Sequence, residues 1–128
     1  MTPELNVLLL SVALAFVYLI VHAMLLRGQI GYDDVNRDHD PEPNLLAGRG
    51  IRALRNFLET YPFFLALMLA TWMTGHFTAL GHAGAWLWLI ARACYLPAYI
   101  FGIGRLRSAI WMASLIGLAL MMAGAYGY

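Results

Sequence analysis

The sequence predicts an all-α integral membrane protein folded as a four-helix bundle. Of its 128 residues, 62% are hydrophobic and only 12% are charged, whereas soluble domains contain roughly 45–50% apolar and about 25% charged residues. Four apolar stretches are separated by shorter polar segments, and each reaches the length of about 20 residues that a transmembrane helix needs. We therefore expect a single domain over residues 1–128, with its polar groups gathered at one face of the bilayer.

The first two predicted spans cover residues 5–26 and 57–75. The first carries no charge and is too long for the apolar region of a signal peptide. Glu4 also stands where such a peptide has basic residues, so we expect a helix that is retained. The second span contains Glu59 and Pro62 near its start.

The third predicted span covers residues 83–101 and holds Arg92, and the fourth covers residues 108–126 without a charge. Cys94, in the third span, is expected to be a small buried side chain. The fourth span has small residues at helical spacing, which is typical of close helix packing. Aromatic residues near the span ends, Trp111 among them, are typical of a membrane-interface belt. The last two connections are short, so neighbouring spans should be antiparallel.

The one long connection, residues 27–48, is polar and rich in turn-forming residues. Its acidic residues lack the alternating spacing, central glycine and terminal glutamate of a calcium-binding loop, so we interpret it as a solvated loop. They are Asp33, Asp34, Asp38, Asp40 and Glu42. The histidines are too few and too scattered to predict a metal site. The net charge of +1 excludes a basic nucleic-acid-binding protein.

The arginines indicate an orientation in the membrane. The chain has no lysine, and all but one of its 8 basic residues flank the first and third connections. The positive-inside rule therefore places these two connections in the cytoplasm and both termini outside it. The flanking residues are Arg27, Arg37, Arg49, Arg52, Arg55, Arg105 and Arg107.

Two stripes of polar side chains lie within or just before the apolar spans, each spaced so that its members share one face of a helix. They are Arg52, Asn56 and Glu59 on the second helix, and Arg92, Tyr95 and Tyr99 on the third. An ionisable group in a span is costly, so both stripes should face the bundle interior. One interpretation is a structural Arg–Glu pair with buried phenols. The other is a ligand site, since arginine binds carboxylates, glutamate receives an ammonium, and amides and phenols orient peptide groups. Glutathione fits that set, and a phospholipid head group or a nucleotide fits part of it.

The same residues carry a resemblance to a known family. The segments RALRNFLETYPFF (residues 52–64) and ARACYLPAYIFGIGRLRS (residues 91–108) resemble the MAPEG family, the membrane-associated proteins of eicosanoid and glutathione metabolism. The family pattern is matched, in order, by Arg52, Asn56, Glu59, Pro62, Arg92, Tyr95, Tyr99 and Arg107. The four-span layout matches as well, and the chain is similar to short bacterial members.

The resemblance implies a homotrimer in the bacterial inner membrane, with glutathione bound as a co-substrate between subunits near the cytoplasmic face. It implies that glutathione is held by residues matching Arg27, Arg52, Asn56, Glu59, Arg92, Tyr95 and Tyr99. Arg107 would be catalytic, beside the thiol, with Arg105 as the alternative for that role. Ser108 is a possible hydrogen-bond donor to the thiol, although a helix N-cap is its favoured role.

We accordingly expect a glutathione-dependent membrane transferase or peroxidase that acts on a lipophilic small molecule arriving from the lipid. The alternative is a non-enzymatic protein that binds glutathione or lipid and serves regulation or assembly. A channel or transporter subunit ranks last, because the outer halves of the helices offer no polar path.

Overall fold

A computed structural model of the chain describes residues 1–30 and 42–128. Its helices are α1 (Pro3–Ile30), α2 (Leu45–Thr74), α3 (Ala79–Ile100) and α4 (Gly104–Ala125). The all-α fold class predicted from the sequence is confirmed. The four aspartates of the acidic connection, residues 33–40, lie outside the described residues.

Three helices, α1, α2 and α4, are long and apolar enough to cross a membrane. The fourth predicted span, α3, is 22 residues long but does not reach the same hydropathy, because it carries Arg92, a histidine, a proline and several tryptophans and tyrosines. Large apolar side chains such as Phe16, Leu69 and Met122 are exposed. Since α1, α2 and α4 can span a bilayer, we assign this apolar surface to contact with lipid.

All four helices begin earlier than the apolar runs predict, and α2 does so by the most. The helix α2 starts at Leu45 instead of residue 57, and α4 starts at Gly104 instead of residue 108. Asn44 caps α2, since its side-chain oxygen accepts from the Ala47 N–H at 2.9 Å. At 1.5 Å per residue α2 is about 45 Å long, more than the hydrocarbon core of about 30 Å. The apolar run marked only the more apolar part of this helix, and the arginines before Asn56 also lie within α2.

The connections between the last three helices are short, as expected. Gly75 ends α2 with φ 71°, and its N–H bonds to the Thr71 carbonyl, an arrangement that favours glycine. Thr78 caps α3 by accepting from the Gly81 N–H at 3.1 Å. Gly102, with φ 73°, makes the turn between α3 and α4.

The helices α3 and α4 pack with their backbones in contact. A Cβ added at Gly84 would lie 2.6 Å from the Gly117 carbonyl oxygen, and one at Gly124 would lie 2.5 Å from the Gly81 Cα. Such distances leave no room for a side chain, so glycines on both helices allow this approach. A larger side chain at these glycines would push α3 and α4 apart.

An aromatic cluster joins α1, α2 and α3 in the core. The Trp88 ring lies 4.1 Å from that of Phe64, and the Tyr18 ring lies 4.5 Å from that of Phe57. The Tyr18 hydroxyl donates to the Arg92 carbonyl at 2.6 Å. Phe57 is fully buried and follows Asn56 in the chain, so this cluster sets the rotation of the polar stripe on α2.

The prediction that the Cys94 side chain is buried is wrong. Its side chain is exposed on the outer surface of α3. It lies two residues after the buried Arg92, which is about 200° around a helix of 3.6 residues per turn. The two side chains therefore point to opposite sides of α3.

Candidate functional site

A cleft of about 350 Å³ opens between α2, α3 and α4, at the end of the bundle where α3 gives way to α4. This volume lies within the range of about 300–1,000 Å³ typical of small-molecule sites. The described residues that line it are Arg52, Arg55, Asn56, Glu59, Tyr95, Tyr99, Arg107, Ser108 and Trp111. The cleft thus brings together most members of both predicted stripes.

The polar stripe on α2 forms one wall of the cleft. Arg52, Asn56 and Glu59 succeed one another along a single helix face, and all three line the cleft. Gly48 lies one turn before Arg52, and a Cβ there would come within 3.2 Å of the Arg52 Nη1. The absence of a side chain at Gly48 therefore gives the Arg52 guanidinium room to lie along α2.

The two tyrosines of α3 form the facing wall. The Arg52 Nε donates to the Tyr99 hydroxyl at 3.2 Å, which joins the two walls across the mouth of the cleft. The rings of Tyr95 and Tyr99 lie 5.6 Å apart. Tyr95 is buried and Tyr99 is half-buried, so both phenols present polar groups at the boundary between the apolar core and solvent.

Arg107 and Arg105 lie in different environments. Arg107 is half-buried and lines the cleft, and its Cζ lies 4.8 Å from the Tyr99 ring centroid. Arg105 is exposed and is not among the described lining residues. Both lie in the first turn of α4 and not in the preceding turn, and two residues are about 200° apart on a helix. The geometry therefore favours Arg107 for any role inside the cleft.

Ser108 lines the cleft, but the N-cap role expected for it is wrong. The helix starts four residues earlier, and Ile103 occupies the N-cap position. The Ser108 hydroxyl instead donates to the Gly104 carbonyl at 3.1 Å. Because its one hydrogen is used within α4, Ser108 offers the cleft an acceptor, not a donor.

Arg92 lies behind the lining and is fully buried. Its Nη1 donates to the Asn56 Oδ1 at 2.9 Å, and its Cζ lies 4.5 Å from the Tyr95 ring centroid. Arg27 is exposed at the C-terminal end of α1 and is not among the described residues that line the cleft. Of the predicted set, the structure leaves Arg27 and Arg105 outside the cleft and places Arg92 beneath it.

A family model described as the MAPEG family matches residues 7–127 of the chain. The chain belongs to the MAPEG family. This family includes glutathione transferases and related membrane proteins, and together with the three candidate spans it identifies the chain as an integral membrane protein. A search of curated proteins and a search of solved structures found no match.

Two residues at or beside the site of this MAPEG protein were not predicted to belong to it. The Arg49 Nη1 donates to the Ile100 carbonyl at 3.0 Å. This bond gives a partner to one of the carbonyl groups at the C-terminus of α3. A Cβ at Gly102 would lie 2.8 Å from the Arg49 Nη2, so Arg49 also braces the turn that leads to Arg107. Trp111 lines the cleft, and its position four residues after Arg107 on one helix face was the available signal.

The charge of the cleft limits what this MAPEG protein can bind there. Its lining holds three guanidinium groups, from Arg52, Arg55 and Arg107, and one carboxylate, from Glu59. The lining is therefore net positive and suits a ligand with acidic groups, while Glu59 offers a partner for an ammonium group. Arginine can bind a carboxylate through two parallel hydrogen bonds.

A second groove, of about 410 Å³, lies on the other side of α2. Its described lining residues are His22, Ile51, Leu54, Arg55, Leu58 and Glu59. Arg55 and Glu59 line both the cleft and the groove, and both are exposed. Helix α2 therefore separates a polar cleft from a largely apolar groove.

Proposed function

We propose that this MAPEG protein is a glutathione-dependent membrane transferase or peroxidase that activates the glutathione thiol for attack on lipophilic electrophiles. The observation that carries the proposal is the composition of the cleft. Six of the residues implied by the family resemblance come from three different helices and line one cavity. They are Arg52, Asn56, Glu59, Tyr95, Tyr99 and Arg107.

Glutathione has two carboxylates, one ammonium and two peptide groups, and the cleft offers a partner of the right chemistry to each. Arg52 and Arg55 supply planar guanidinium groups for the carboxylates. Glu59 supplies a carboxylate for the ammonium, and Asn56 and the two tyrosines supply neutral groups that orient the peptide. We propose these residues as the binding set.

Arg107 is the residue we assign to the thiol. A free thiol is largely protonated at neutral pH, and only the thiolate is a strong nucleophile. A guanidinium a few ångströms away in a half-buried site favours the anion. Arg107 combines this charge with a position against the ring of Tyr99, at the edge between the polar cleft and apolar protein. An electrophile dissolved in lipid would approach from the side of the bundle, and glutathione from the cytosol.

We further propose a homotrimer in the bacterial inner membrane, with four spans including α3 and with both termini outside the cytoplasm. The arginine asymmetry supports this orientation. The groove beside the cleft supports the assembly, because Arg55 and Glu59 are exposed on it and a neighbouring subunit packed there would enclose both side chains. That arrangement would place the ligand between subunits.

Calorimetric titration with glutathione tests the binding set. Arg52→Ala and Glu59→Gln each remove one charge-assisted hydrogen bond, which typically costs about 1.5–3 kcal/mol, so affinity should fall roughly ten- to a hundredfold. Arg105→Ala is the matched control, since this exposed arginine lies outside the cleft, and it should bind as the unmodified protein does. Size-exclusion chromatography should show the same oligomer for all three variants.

Two results would replace the proposal. If Arg52→Ala and Glu59→Gln dissociate the oligomer while the remaining oligomer binds glutathione normally, these residues form a structural pair. If glutathione binds tightly and no electrophile or peroxide turns over, the protein is a binding protein of the regulatory or assembly type.

A further inference from the structure

Arg92 is an unusual residue for the interior of a bundle. It is fully buried, yet no carboxylate of the described chain forms an ion pair with it, and the only hydrogen bond from its guanidinium to described residues runs to Asn56. Its Nε and Nη2 have no hydrogen-bond partner among those residues. Its charge is instead covered by the rings of Tyr95, at 4.5 Å, and Phe57, at 5.5 Å. Such a costly arrangement indicates a role other than stability.

The chemistry of the Arg92–Asn56 contact fixes the orientation of the amide. The oxygen and nitrogen of an asparagine side chain are usually assigned from their hydrogen bonds. A guanidinium only donates hydrogen bonds, so its partner at 2.9 Å must be the Asn56 oxygen. Asn56 itself is half-buried and lines the cleft. The bond therefore turns the oxygen toward the buried guanidinium and leaves the amide NH₂ as the group that faces a ligand.

We infer that Arg92 is a positioning residue that holds the Asn56 oxygen, so that Asn56 presents its NH₂ to the ligand as a hydrogen-bond donor. Arg92 does not touch the ligand, because it has no exposed surface and the Tyr95 ring lies against it. The ligand atom opposite Asn56 is then an acceptor, a peptide carbonyl or a carboxylate oxygen. The identity of the ligand as glutathione is taken from the proposed function, and this inference rests on it.

The substitution Asn56→Asp separates the two sides of this residue. One carboxylate oxygen still accepts from Arg92, while the other puts an acceptor where the donor stood. The variant should keep the thermal midpoint of the unmodified protein or exceed it, since a buried guanidinium gains a charged partner. Its dissociation constant for glutathione should rise at least tenfold. Arg92→Leu, which releases the amide, should weaken binding at least threefold, and Arg92→Lys, which keeps a charged donor, should bind more tightly than Arg92→Leu.

Nuclear magnetic resonance of protein labelled with [¹⁵N]asparagine reports on the amide directly. The chain contains four asparagines, so the side-chain signal of Asn56 is assigned by its loss in Asn56→Asp. Glutathione should shift this signal, and Arg92→Leu should change it without any ligand, whereas Arg92→Lys should restore it in part.

The inference is overturned if Asn56→Asp binds glutathione as tightly as the unmodified protein, or if glutathione binds without shifting the Asn56 signal. The proposed function would survive either result. If the unmodified protein binds no glutathione, the proposed function fails instead. The Asn56 side-chain signal, compared without ligand between the unmodified protein and Arg92→Leu, then decides whether Arg92 holds the amide. An unchanged signal would overturn the inference.

Discussion

Replacing Arg107 by alanine should move the pH dependence of turnover to higher pH. The guanidinium is half-buried and lines the cleft, so it would stabilise a thiolate more than a neutral thiol. Removing it raises the pKa of the bound thiol, and a higher pH is then needed to form the nucleophile. At any pH below that pKa, the variant should hold less thiolate than the unmodified protein.

The size of the effect can be worked out from Coulomb's law. A thiolate about 5 Å from a unit positive charge interacts with it by about 3 kcal/mol at an effective dielectric constant of about 20. Because Arg107 is partly exposed, we discount this by roughly half, to about 1.5 kcal/mol. That energy corresponds to about one pH unit. The rate at neutral pH should fall less, about threefold, because a more basic thiolate is a better nucleophile.

The assay is the pH–rate profile of glutathione conjugation with a lipophilic electrophile in detergent. The midpoint for Arg107→Ala should lie about one pH unit above that of the unmodified protein. At high pH, where both thiols are ionised, the rate of the variant should reach or exceed that of the unmodified protein, because its thiolate is more basic. Arg105→Ala serves as the control, since it removes an exposed arginine two residues away and should leave the midpoint unchanged. A shift of the midpoint in Arg105→Ala alone would show that Arg105, and not Arg107, acts on the thiol. No shift in either variant would refute the thiolate mechanism.

Two further predictions concern the fold and its orientation. Gly117→Ala should lower the free energy of unfolding by about 1–3 kcal/mol, the usual cost of overpacking, because its Cβ would lie 2.8 Å from the Gly84 carbonyl oxygen. Gly28→Ala is the control, since a Cβ there would meet nothing within 4 Å, and it should not lower the free energy of unfolding. Thermal unfolding in detergent measures both variants. A reporter enzyme fused after Tyr128 and active only outside the cytoplasm should be active, and an inactive fusion together with an active cytoplasmic reporter would contradict the orientation.

Much of the fold could be predicted from the sequence because lipid imposes a simple pattern. Apolar runs of sufficient length fixed the number of helices and their order. Their ends could not be predicted in the same way, since α2 begins at Leu45, in a segment whose polar residues look like a loop. A helix that extends beyond the bilayer no longer needs apolar residues, so the N-cap at Asn44 was the only local signal for its start.

The site was predictable to the extent that it follows helical periodicity. The spacing of Arg52, Asn56 and Glu59 on one helix predicts a shared face, and the structure places all three in the cleft. Contacts between helices are not encoded in spacing. The bond from Arg92 to Asn56 and the bracing of the α3–α4 turn by Arg49 depend on how α2 and α3 pack. For the same reason, the sequence could not choose between Arg105 and Arg107.

We propose that the cleft binds glutathione and holds it as a thiolate. The most direct measurement is a titration of the detergent-solubilised protein with glutathione at neutral pH, followed by the ultraviolet absorbance of the thiolate. We expect a saturable rise in thiolate absorbance that is strongly reduced in Arg107→Ala. Saturable binding without thiolate absorbance would contradict the catalytic assignment, and no binding at any glutathione concentration would contradict the claim as a whole.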